Sequence, residues 1–180
     1  EGLRECGVPL SVDTLKPDVM RAAIGAGADM INDVNALRAE GALQAVADSA
    51  VAVCLMHMQG EPRTMQHSPL YQDVVAEVKA FLGGRIAAAE QAGIARARMV
   101  IDPGFGFGKT LEHNLDMLRQ LESFASLGVP LLAGLSRKSM LGLLTGLPVE
   151  ERMVPSVAAA VISAMKGAKI LRVHDVKETR

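Results

Sequence analysis

Polar residues able to do chemistry recur in this sequence where short apolar runs end. In residues 99–109, MVIDPGFGFGK, an apolar run meets Asp102 and breaks at Pro103. Gly104, Gly106 and Gly108 then alternate with Phe105, Phe107 and Lys109. Such a run followed by Pro-Gly reads as a buried strand entering a loop. A carboxylate therefore stands at the carboxyl end of a strand, under a loop whose glycines open backbone angles closed to other residues. Asp102 can face a ligand there, or it can cap the turn, since Asp before Pro-Gly is ordinary turn chemistry. The glycine spacing matches neither the dinucleotide-binding nor the P-loop pattern.

Residues 169–175, KILRVHD, carry Arg172 and His174 two positions apart. Side chains alternate along a strand, so these two share a face and can form an anion site, with Arg able to bind oxygen pairs bidentately. The competing reading is a structural ion pair beside a core histidine. In residues 130–136, PLLAGLS, Leu132, Gly134 and Ser136 are in phase, and a glycine on an inward face leaves room for something flat against the backbone. Ser136 is expected to cap the helix that follows, at an N-terminus that attracts carboxylates and phosphates. Lys138 can reach back over the strand ends; the plainer reading of Ser-Arg-Lys-Ser is a solvated basic turn.

Asp13 ends the run PLSVDT, and Asn32 lies in MINDV. Asn and Asp together suit a flat heterocycle with an amide-like or guanidine-like edge, because Asn both donates and accepts and a carboxylate takes two adjacent N–H groups. In residues 51–58, VAVCLMHM, Cys54, Met56 and Met58 share one face and His57 takes the other, where a structural role is expected. Met56 taken alone is a core residue. No Ser-His-Asp order and no HExxH or CxxC spacing occurs.

The elements that must hold these groups alternate. Strands are expected over 9–14, 30–34, 51–58, 99–102, 130–135 and 169–174. Helices are expected over 17–27, 41–49, 71–93, 111–126, 136–144 and 157–166, with a polar loop over 59–69 and Asp175 as a helix cap three residues before Glu178. Gly83-Gly84 should weaken the long helix by about 1 kcal/mol per glycine. Alternation of this kind makes a parallel sheet, and near-continuous apolar strands mean that both its faces are covered. Polar residues at the carboxyl end of nearly every strand favour a parallel (β/α)8 TIM barrel, which collects them in one ring, over an open sheet with one switch point. About six of the eight βα units are accounted for, and two more, at roughly 30 residues each, would complete the barrel.

The chain has 180 residues, 49% of them hydrophobic, and a formal net charge of −1, which suffices for one domain over 1–180 with a sizeable core. Near-neutral charge, one Tyr and no Trp argue against a nucleic-acid surface. Cys54, inside an apolar run, is expected to be a buried free thiol. No signal segment or run of transmembrane length occurs, so a soluble cytoplasmic protein away from membranes is expected. The opening EGLRECG resembles a helix tail without an initiator Met, and HDVKETR opens a helix at the other end. A segment cut at both ends is the expectation.

Taken in order, SVDT (11–14), IND (31–33), CLMHMQG (54–60), IDPGFGFGK (101–109), SRKS (136–139) and RVHDVKET (172–179) closely resemble the dihydropteroate synthase family and cover essentially the whole chain. The last three are specific to that family; the first two are shared with other pterin-binding barrels. The resemblance implies a (β/α)8 barrel, usually a homodimer, that condenses dihydropterin-CH2-diphosphate with 4-aminobenzoate in folate synthesis and is the target of sulfonamides. It implies pterin binding by Asp13, Asn32, Met56, Asp102, Phe107, Gly134 and Lys138, and diphosphate binding by Arg172 and His174. It puts aminobenzoate beside Phe107, Ser136 and Lys138, with Asp13, Asp102 and Lys138 nearest the chemistry. It also implies Mg2+, whose ligand would lie before Glu1. A methyltetrahydrofolate-dependent methyltransferase is the other enzyme reading, disfavoured by SRKS and RVHD. A fragment that binds pterin only weakly is the non-catalytic one.

Overall fold

In the computed structural model, which describes residues 2–3, 5–60, 64–65 and 69–180, strand and helix alternate along the chain. The strands are β1 (Ser11–Asp13), β2 (Met30–Asp33), β3 (Ala52–Met56), β4 (Met99–Asp102), β5 (Leu132–Ala133) and β6 (Ile170–Leu171). The helices are α1 (Pro17–Gly25), α2 (Ala42–Ala47), α3 (Val74–Gln91), α4 (Leu111–Arg119), α5 (Ser139–Thr145), α6 (Met153–Met165) and α7 (Val176–Thr179). β1 to β4 form one parallel sheet in chain order, and β5 pairs in parallel with β6. A parallel bridge between Ile101 and Leu131 joins the two sheets.

The six-stranded arc is strongly curved. In a flat sheet, β2 and β6 would stand about 19 Å apart at four strand spacings. Yet Arg172, immediately after β6, brings Nη1 to 3.4 Å from Asn32 Oδ1 on β2. Curvature gives the sheet two buried faces. Outside, Ile31, Val53, Leu55 and Ile101 pack against Val78, Leu82 and Phe124 of the helical layer. Inside, Cys54, Val100 and Leu132 pack with Met30 and Ile170. This is why the strands are apolar on both faces, as parallel strands covered on both sides are.

Several elements differ from expectation. The strands expected over 9–14, 130–135 and 169–174 contract to the short β1, β5 and β6. The helix expected over 111–126 breaks at Gln120, and a 3-10 segment (Leu121–Leu127) turns Leu121 and Phe124 inward. α4 starts with a capping box: Thr110 accepts from the His113 N–H, and the His113 ring takes the Thr110 N–H. α3 runs unbroken through Gly83-Gly84, capped by Asp73, whose side chain accepts from the Ala76 N–H. α6 begins at Met153 rather than 157, because Pro155 falls in the first turn, where its missing N–H costs nothing. The described part of 1–7 is turn, not helix, and residues 1, 4, 61–63 and 66–68 lie outside the described residues.

Candidate active site

Asp102 ends β4 with 1% of its surface exposed. One carboxylate oxygen accepts the Gly104 N–H at 2.7 Å. The other pairs with Arg172 Nη2, also at 2.7 Å. Asp102 therefore caps the turn with one oxygen and pairs with Arg172 across the strand ends with the other. The Arg172 guanidinium lies against Gly134, where a Cβ would meet Nη2 at 2.8 Å and Cζ at 3.2 Å. The flat group on the glycine is thus the protein's own guanidinium.

Asn32 is buried on β2, in register with Asp13 on β1. Asp13, Asn32, Leu132 and Arg172 line an open cleft of about 360 Å3 between the edge strands β1 and β6. Met56, in register with Asp102, is wholly buried beside it.

The glycine loop follows. Gly104 (φ 72°) and Gly108 (φ 63°) hold left-handed backbone angles, and a Cβ on either would run into the carbonyl oxygen of His57 or Gln59. The loop thus lies backbone to backbone on the end of the β3 chain, which only glycine permits. Lys138 comes over the loop from the other side. Its Nζ donates to the Phe105 carbonyl at 2.7 Å and stands 4.2 Å from the Phe107 ring centroid. Burial pushes its ammonium down to about 8, partly offset by the Asp102 charge.

Ser136 is not a helix cap. α5 begins three residues later, with Lys138 in the capping position and no side-chain cap. The buried Ser136 hydroxyl instead lies 3.1 Å from the His174 N–H, which donates to it, and 2.9 Å from His174 Nδ1. His174 itself is exposed. Arg137 takes a left-handed backbone (φ 57°). That conformation is held by Ser156 Oγ, which accepts its N–H, and by Asp175, which takes its guanidinium at 3.0 and 2.5 Å. Asp175 sits at the cap position of α7, but its carboxylate serves Arg137 and not the helix.

Four residues absent from the sequence reading of the site hold it together: Ser156, Asn114, Lys109 and Tyr71. Asn114 Oδ1 accepts the Gly106 N–H, and the Tyr71 hydroxyl donates to the Gly108 carbonyl. Lys109 is buried, with Nζ 2.9 Å from His57 Nδ1. His57, as expected, is buried away from the cleft. Its ring is pushed down to about 3, by burial first and by the Lys109 charge second. Lys109 alone carried a signal in the sequence, a charge closing a glycine-rich loop; Ser156 and Asn114 sit within ordinary helical stretches.

Among the described residues no three His, Cys, Asp or Glu side chains converge on a point that could hold a metal. Cys6 and Cys54 are both free. No described helix is long and apolar enough to cross a membrane.

The family description "Pterin binding enzyme" matches residues 1–174. The chain is 54% identical over 170 residues to a dihydropteroate synthase of Escherichia coli (strain K12), covering 94% of this chain and 60% of that relative. It superposes with a TM-score of 0.96 on the Yersinia pestis dihydropteroate synthase in complex with a sulfonamide drug, at 49% identity over 99% of this chain and 65% of that one. With the Xanthomonas albilineans dihydropteroate synthase bound to 7,8-dihydropteroate the TM-score is 0.90, at 57% identity over 96% of this chain and 65% of that one. The chain thus spans less than two thirds of the length of each of these proteins.

Proposed function

Because the chain belongs to the pterin-binding enzyme family, we propose that it functions as a dihydropteroate synthase, joining (7,8-dihydropterin-6-yl)methyl diphosphate to 4-aminobenzoate in folate biosynthesis. The observation that carries this reading is the cluster of Asp102, Asn32 and Arg172 over Gly134. A guanidinium already lies there, donating to a buried carboxylate and an amide oxygen. The 2-amino-pyrimidine edge of a pterin offers the same pattern of adjacent N–H donors on a flat group, so it can replace Arg172 and release it.

The released Arg172, with His174, then faces the diphosphate. Asp13, Asn32, Met56 and Asp102 bind the pterin, with Phe107, Gly134 and Lys138 around it. Phe107, Ser136 and Lys138 face the aminobenzoate. The bond between the methylene carbon and the diphosphate oxygen breaks first, and its electron pair leaves with the diphosphate. Asp13 and Asp102 stabilise the cationic pterin-methyl carbon, and Arg172 and His174 the departing anion. The aniline nitrogen of 4-aminobenzoate forms the new C–N bond and loses a proton. Dihydropteroate and diphosphate are the products. The relative bound to 7,8-dihydropteroate supports the product, and the relative bound to a sulfonamide supports competition by such drugs for the aminobenzoate side. Mg2+ is the cofactor that the family resemblance implies.

Residues 1–180 form one domain, six units of a (β/α)8 barrel, with two further units seated on the free edges of β1 and β6 across the cleft. A cytoplasmic homodimer completes the reading; the exposed Val154, Val161 and Met165 on α6 supply apolar surface for association.

Calorimetric titration of the purified chain with a 7,8-dihydropterin tests the site. Binding is expected, and Asp102→Asn should weaken it by roughly 10–100-fold. A folded chain that binds no dihydropterin would refute the assignment of these residues.

A further inference from the structure

Lys109 is the one cation among the described residues whose burial leaves it at 3% exposure. Its Nζ is 2.9 Å from the Gly104 carbonyl oxygen, 3.0 Å from that of Phe107 and 2.9 Å from His57 Nδ1. The ammonium has three hydrogens and three acceptors. His57 stays neutral, because burial and the Lys109 charge hold its ring near 3. It therefore accepts at Nδ1 without adding charge. The Gly104 and Phe107 carbonyls bracket the loop residues that present the Phe107 ring and the Phe105 carbonyl to Lys138. Tyr71 ties the Gly108 carbonyl at the loop's far end.

Two lysines thus grip one glycine loop. Lys138 holds it from a half-buried position, where a ligand can compete for it. Lys109 holds it from the protein side, where none can reach. We propose that Lys109, seated on His57, is a positioning residue: it fixes the glycine loop from behind, so that Phe107 stays in place when Lys138 turns to a ligand. The consequence for ligands rests on the proposed pterin and aminobenzoate site; the consequence for the loop does not.

Amide hydrogen exchange on the whole unliganded chain, wild type against Lys109→Met, tests it. Leaving two carbonyls unpaired should speed exchange at residues 104–108 by about tenfold or more, with β4 and α4 little changed. Tyr71, the sole tyrosine, should lose the near-ultraviolet signature of its bond to Gly108. Dihydropterin affinity should fall alongside, by roughly tenfold. Because Lys109→Met leaves His57 facing an apolar group, the double variant Lys109→Met/His57→Leu removes both partners and protects the fold. Unchanged loop exchange and Tyr71 signature in either folded variant would overturn the proposal. So would unfolding of both, since Lys109 would then hold up the fold and not the loop. Exchange is read without ligand, so a wild-type chain that binds no pterin defeats the reading of the site and not the latch.

Discussion

Arg172 Nη2 stands 2.7 Å from Asp102 Oδ2, joining two strand ends that are 70 residues apart in sequence. Asp102 is 1% exposed at its side chain and Arg172 39%, so the carboxylate is enclosed and the guanidinium is the partner open to solvent. In the proposed function a flat guanidine-like edge of the pterin takes the place of Arg172 on this carboxylate.

Asp102→Asn should therefore weaken dihydropterin binding by roughly 10–100-fold, the loss of a charge-assisted hydrogen bond. Its amide should also release Arg172. Calorimetry on the variant, with circular dichroism to verify folding, measures both the loss and its cause.

Gly134→Ala places a Cβ 2.8 Å from Arg172 Nη2. The guanidinium is the end of a flexible side chain and can move aside, so stability should fall by only about 1 kcal/mol. Pterin binding should be lost almost entirely, because a bound ring cannot move aside as a side chain can. Thermal unfolding and titration together separate the two effects.

Gly104→Ala should be far more damaging to the fold. The position has φ 72°, and the obstacle is the His57 backbone carbonyl, which cannot move independently of β3. A loss of about 2–4 kcal/mol is expected from backbone strain and the shift it forces. Urea unfolding is the measurement.

Two buried bases make stability rise with pH. His57 titrates near 3 in the fold against 6.5 ordinarily, so between those values the unfolded chain binds more protons. Each pH unit of acidification there removes up to about 1.4 kcal/mol. Lys109, pushed down by burial to about 7 from 10.5, acts in the same sense over the alkaline window, where stability climbs as pH rises from about 7 toward 10.5. Urea midpoints measured across pH should show both slopes. His57→Asn, which keeps an acceptor for Lys109, should flatten only the acid one.

Ser136→Ala removes the hydroxyl that takes the His174 N–H and faces its Nδ1. A stability cost of about 1 kcal/mol is expected. Diphosphate affinity should weaken by a larger factor than pterin affinity, because His174 loses its orientation while Asp102 and Asn32 are untouched. Titration with the two ligands separately gives the ratio.

The sequence by itself determined the alternation of strand and helix, the double burial of the sheet, and the placement of Asp13, Asn32, Asp102, Arg172 and His174 at strand ends. These follow from local rules: apolar runs, turn residues and the two-residue period of a strand. It left open whether Asp102 caps the turn, and only the tertiary structure shows that one oxygen does so while the other takes Arg172. Ser136 departs from the expected cap for a related reason. A Ser before a basic turn resembles a helix cap, but the helix start was decided by Arg137, whose left-handed backbone is held by Ser156 and Asp175 from α6 and the chain after β6. Lys109 and His57 meet across 52 residues, and Arg172 reaches Asn32 across 140. Such pairings depend on how tightly the sheet curls, and curl is a sum of small twists over six strands that no local pattern encodes.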